Sequence, residues 1–183
     1  MPTFTRGFFA GVVTTLLVLI IGMVGFVRSG RYPIGADRPH LPLTRALIDS
    51  LRDHATETAA SDVAVPRLDD PMQVAAGAAH YDAMCTGCHL APGRAVSPLR
   101  AGLYPQPPDL PEDGIDNAGE AFWIIKHGIK LSAMPAWGRT HTDAEIWAMV
   151  AFLQKLPHMT PAQYAQWVAK GKPMTARHQH MSG

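Results

Sequence analysis

The sequence predicts an all-α fold in which one N-terminal transmembrane helix precedes a small helical domain, and three observations predict it. No segment alternates polar and apolar residues with the period of two that a half-buried strand needs. Residues Gly7 to Val27 form twenty-one positions without a charge, long enough at about 1.5 Å per residue to cross roughly 30 Å of hydrocarbon. Downstream, caps, prolines and glycines bracket a succession of helical segments. The 183 residues leave room for one ordinary domain plus attachments. Sixteen basic against fifteen acidic residues give a net charge of +1, which excludes the concentrated basic face that nucleic acids require. Only two cysteines are present, so no disulfide framework stabilises the core and a cofactor is the expected supplement.

Residues 1–28 read as an uncleaved anchor. A signal peptide has an apolar core of about 7 to 15 residues followed by small residues at a cleavage site, whereas this run is longer and ends in Val27-Arg28-Ser29-Gly30-Arg31. Residues 29–69 read as a proline-bearing linker with one amphipathic helix, capped by Thr44, whose Leu43, Leu47, Ile48, Leu51 and Ala55 share a face. That face is expected to pack on the main domain, with the membrane surface or a partner as the other destinations.

The main domain spans 70–157. Asp70-Pro71 opens a helix that runs to about Met84 and directly into Cys85. An irregular proline-rich stretch, 91–114, leads to a second helix over 118–127, stopped by Gly128. A loop with Met134-Pro135 follows, and Thr142-Asp143-Ala144-Glu145 reads as a capping box opening a third helix to about Leu156. In 158–183, Thr160-Pro161 starts a short helix ending near Gly171, ahead of a flexible tail carrying histidines and methionines.

Cys85-Thr86-Gly87-Cys88-His89 is the attachment sequence of a c-type haem: two thiols add across two vinyl groups while the adjacent imidazole reaches the iron. A zinc site would need further ligands and no third cysteine exists; a redox dithiol wants a βαβ context that a helical sequence lacks. The second axial ligand must lie far enough downstream for the chain to wrap the other haem face. Met134, forty-five residues after His89, sits in a loop beside Pro135 with no helical face to claim it. Met149 falls among Ile146, Val150 and Leu153, where a thioether fills core. His127, at a helix end near the same loop, is the remaining competitor.

Cys85-x-x-Cys88-His89, the later Met134-Pro135 and a closing helix together resemble the class I, mitochondrial cytochrome c-like family over roughly residues 70–157. The resemblance implies a first helix with glycine and an aromatic at four-residue steps before the first cysteine, matched by Gly77 and Tyr81 on one face. It implies that the last helix crosses at that glycine through an aliphatic and an aromatic residue, matched by Met149 and Phe152. It also implies a proline carbonyl against the other nitrogen of the ligand histidine, and Pro108-Asp109-Leu110 is similar to the family's sequence there. Trp123, Trp137, Tyr104 and Arg100 could each donate to a propionate, though packing or exposure explains any of them equally well. Near the anchor, Arg28, Arg31 and Arg38 outnumber Arg6 and favour a cytoplasmic C-terminal side. The resembled bacterial proteins carry their haem outside the cytoplasmic membrane, so the expectation is a single-pass inner-membrane protein with a periplasmic haem domain.

With His89 and Met134 both bound, the iron has no open position, and no constellation of nucleophiles or acids and bases suggests turnover. A non-enzymatic carrier of single electrons is the expectation, exchanging them with an oxidase, a dehydrogenase or a copper enzyme. The alternatives are a haem peroxidase or ligand sensor that sheds Met134, and a copper-handling protein using Met174, His178, His180 and Met181 of the tail, since thioethers and imidazoles suit copper.

Overall fold

The computed structural model describes residues 2–179, with side chains from 4 to 173, and divides into two compact units, 1–40 and 41–183. The first unit is helix α1, Pro2–Arg28, and the short segment after it. Within Phe4–Arg28 the most apolar 18 residues reach a mean hydropathy of 2.5, and the helix is long and apolar enough to cross a membrane. Beyond its end the chain folds on itself: Tyr32 meets Phe26 edge to face at 6.3 Å, and the Tyr32 hydroxyl lies 3.0 Å from His40 Nδ1.

The second unit is helical throughout, and no strand occurs among the described residues. Its helices are α2 (Pro42–Ala60), α3 (Pro71–Met84), α4 (Thr86–His89), α5 (Pro98–Ala101), α6 (Leu110–Asp113), α7 (Ala118–His127), α8 (Asp143–Leu153) and α9 (Pro161–Gln179). A 3-10 turn at Trp137–Arg139 precedes α8. The starts are chemically explicit, because side chains satisfy amide groups that lack helical partners. Asp70 accepts from the Met72 amide at 2.8 Å and Asn117 from the amides of Gly119 and Glu120. Thr142 and Glu145 close the expected capping box, and Thr160 with Gln163 forms the same reciprocal pair ahead of α9.

Helix α3 is the axis of the core. It is buried on two sides, against α8 and against α9, and so shows no polar stripe. Each crossing depends on a glycine. A Cβ at Gly77 would lie 1.8 Å from the Ala148 carbonyl oxygen, and one at Gly171 would lie 1.8 Å from that of Ala75. Only hydrogen at these Cα atoms lets the backbones approach this closely. Between the crossings, Tyr81, Phe152, Ile146, Met149, Leu156, Val74 and Val150 are almost fully enclosed. Helix α7 closes the remaining side by stacking Phe122 on Trp147 of α8, ring centres 4.1 Å apart.

Four expectations are corrected. Gly171 does not end the last helix, which continues through Pro173 to Gln179, because this glycine serves the α3 crossing and keeps a helical backbone. Helix α2 begins at Pro42 after Leu41, so Thr44 lies inside it and caps nothing. The apolar face of α2 does not pack on the domain; Leu43, Leu47, Ile48, Leu51 and Ala55 are exposed. The opposite side is docked instead. There Thr56, buried, donates its hydroxyl to Glu120 Oε1 on α7 at 2.7 Å. A specific buried hydrogen bond therefore fixes the orientation of α2, where the hydrophobic pattern alone predicts the reverse. The third helix also ends at Leu153, three residues early, in a turn through Gln154.

Candidate haem site

The last turn of α3 delivers Cys85, and α4 carries the rest of the motif on one turn, with the Cys88 and His89 amides both bonded to the Cys85 carbonyl. Both thiols are free and half-buried. Burial, with Cys88 adding to it, pushes the Cys85 thiol up to about 12, which favours its protonated form. His89 Nδ1 lies 3.2 Å from the Pro108 carbonyl oxygen. A carbonyl can only accept, so Nδ1 carries the proton and Nε2 keeps its lone pair, the form in which imidazole binds a metal. Burial moves His89 below the usual imidazole range; the Pro108 bond opposes this and the nearby Arg100 charge adds to it.

The motif's carbonyls are secured from three directions. The Tyr81 hydroxyl donates to those of His89 (3.2 Å) and Leu90 (2.8 Å). Ser97 donates to Gly87. Arg100 donates to Cys88 at 2.7 Å and to Pro107 at 2.6 Å, tying the haem-attachment turn to the loop that presents Pro108. Sequence reasoning offered Arg100 only as a propionate donor, and the clamp was missed. Its signal was Ser97-Pro98, a cap followed by proline at the first helical position, which builds α5 and fixes where Arg100 starts. A further set, Arg94 with Asp82 and Thr86 and Tyr164 with Asp82, braces the same turn from the α9 side.

Met134 is half-buried at the edge of the core, in a loop closed by the Ile129 amide on its carbonyl (3.2 Å) and by its own amide on Ser132 Oγ (3.1 Å). Gly128, at φ +66°, lies where a Cβ would be 2.7 Å from the Met134 oxygen, so the helix stop and the loop are fitted to each other. The rivals for axial ligation are placed otherwise. Met149 is enclosed in the core, and His127 is exposed with its ring 4.9 Å from that of Trp123. Met174, His178, His180 and Met181 fall outside the described side chains.

These residues fit a covalent haem: two thiols and a neutral, oriented imidazole on one turn, a thioether in a separate loop, and half-buried apolar side chains at the edge of the core, Met84, Leu110, Ile115 and Trp137 among them. An all-α domain with this site is of the c-type cytochrome class. Residues 72–153 match the family model described as "Cytochrome C oxidase, cbb3-type, subunit III". The chain thus carries a cytochrome c domain over that segment. No curated protein and no solved structure matches the chain.

Proposed function

We propose that this protein is a membrane-anchored carrier of single electrons, with one haem bound through Cys85 and Cys88, His89 and Met134 as axial ligands, and Pro108 orienting His89. The haem supplies the reversible one-electron chemistry. The chain attaches it, fixes the imidazole tautomer, covers the ring with apolar side chains and closes the second axial position with a thioether, which favours the reduced state. The observation that carries the reading is the hydrogen bond from His89 Nδ1 to Pro108, which leaves Nε2 to the metal. With α1 in the inner membrane, the domain stands in the periplasm and serves redox proteins there or in the membrane. An oxidase, a dehydrogenase and a copper enzyme are the candidate classes.

Replacement of Met134 tests the ligand set. Oxidised protein is expected to show the weak far-red sulfur-to-iron charge-transfer band. Met134→His abolishes it and lowers the potential by on the order of a hundred millivolts, and Met134→Ala opens the iron to carbon monoxide. A band that survives Met134→Ala assigns the ligand elsewhere. Intact mass of the membrane-extracted protein tests the anchor, since a mature N-terminus beyond Val27 removes it.

A further inference from the structure

Helix α2 presents its apolar side to the outside while its polar side is fixed to the domain. Leu43, Leu47, Ile48 and Leu51 are 71%, 63%, 47% and 72% exposed, and their spacing puts them in one stripe. Opposite that stripe Thr56 bonds Glu120, so the helix cannot roll over to bury its leucines without losing a buried hydrogen bond. The charges nearby are satisfied within the helix: Arg45 pairs with Asp49, and Arg52 with Asp49 and Asp53. What the stripe lacks is an apolar surface to cover it.

The covalent structure names that surface. Thirteen residues, 29–41, separate the end of α1 from the start of α2, and a chain of that length reaches at most about 45 Å. A lipid surface held within this tether is at high effective concentration. The stripe is purely aliphatic, without the Trp, Tyr or Arg that anchor protein interfaces. We infer that α2 lies in the membrane interface, with Leu43, Leu47, Ile48 and Leu51 inserted among the upper acyl chains. Since α2 is joined to α7, and α7 runs into the Met134 loop, this second attachment sets the orientation of the haem domain and not merely its distance from the bilayer. The inference rests on α1 being an anchor.

The full-length haem-loaded chain, one copy per phosphatidylcholine nanodisc with a diazirine on the upper acyl chain, tests it after photolysis and peptide mass mapping. Adducts are expected on α1 and, within α2, on Leu43, Leu47, Ile48 and Leu51 but not on Arg52 or Thr56. Leu47→Glu with Leu51→Glu should lose the α2 adducts and keep those on α1, with helix content and haem spectrum unchanged. Adducts on α1 with a bare α2 overturn the inference and leave the anchor standing; the stripe then serves a protein partner. A bare α1 overturns the anchor as well.

Discussion

Gly77→Ala adds a single methyl group at the point where α3 meets α8. The new Cβ would stand 1.8 Å from the Ala148 carbonyl oxygen, 2.4 Å from its carbon and 3.0 Å from the Met149 amide nitrogen. Restoring ordinary contact requires the helices to part by about 1.6 Å, and both obstacles are backbone, which no rotamer change relieves. A radial gap of 0.5–1 Å already forfeits roughly a quarter to a half of a dispersion contact, and here the gap would open along Val74, Tyr81, Ile146, Met149 and Phe152. Overpacking of this kind costs about 1–3 kcal/mol and occasionally more, while alanine's better helix propensity returns about 1 kcal/mol. The net loss is expected at about 2 kcal/mol, or a melting point roughly 6 °C lower for a unit of this size. Thermal unfolding of the haem-loaded chain in detergent, followed by far-ultraviolet circular dichroism, measures it. Gly87→Ala is the control, since its Cβ would meet nothing nearer than Leu99 at 3.9 Å. Equal melting points for Gly77→Ala and the native chain would refute a backbone-contact crossing.

Gly171→Ala should destabilise comparably in the same melt, because its Cβ meets the Ala75 oxygen at the same 1.8 Å. Arg100→Ala removes two charge-assisted bonds to carbonyls and is expected to cost about 1.5–3 kcal/mol per bond at most; voltammetry should show a shifted potential as the Pro108 loop loosens, and an unmoved potential would confine Arg100 to stability. Thr142→Ala should cost about 1 kcal/mol. Burial raises the Glu145 carboxyl, but the Thr142 bonds and the charges of His80 and His141 outweigh it and hold the group below its ordinary 4.5. The native state therefore binds fewer protons there than the unfolded chain. The stabilisation is full above 4.5 and lost as the pH falls through the lowered value, so acid titration of stability should be less steep in Thr142→Ala.

The parts of the fold written as local chemistry were legible in the sequence. Asp70-Pro71, Thr142 with Glu145 and Gly128 each satisfy or stop a helix through groups within a few residues, and each does so here. The cysteine spacing was equally plain, since three residues on one turn need no tertiary information. Gly171 and α2 misled for a shared reason. A glycine signals both termination and close approach, and only the presence of Ala75 across the interface decides which. An apolar stripe signals burial without naming the partner, and one distant residue, Glu120, settled which side of α2 met the domain. Arg100 was ambiguous because its acceptors, the carbonyls of Cys88 and Pro107, become neighbours only after the intervening loop folds back.

The two proposed axial ligands rest on unequal supports, and this bears on what the iron can do. On the His89 side, Tyr81 is wedged against Phe152 and Tyr164 in the core, and its hydroxyl caps the His89 and Leu90 carbonyls. Those bonds also stabilise Leu90 at φ +66°, a backbone state that costs a leucine on the order of 1 kcal/mol or more. Displacing His89 therefore means disturbing the α3 core. Met134 sits in a loop held by hydrogen bonds among its own residues Ile129, Ser132 and Met134, and the same loop carries Leu131, fully exposed and itself at φ +60°. Local opening draws on the least protected segments, so if His89 and Met134 hold a haem, the 129–134 loop is the side on which a ligand would be released first. Fast electron transfer needs both ligands to stay, and a sensor needs one to leave. The stability of the 129–134 loop, and not that of the helical core, is the quantity that separates these two functions.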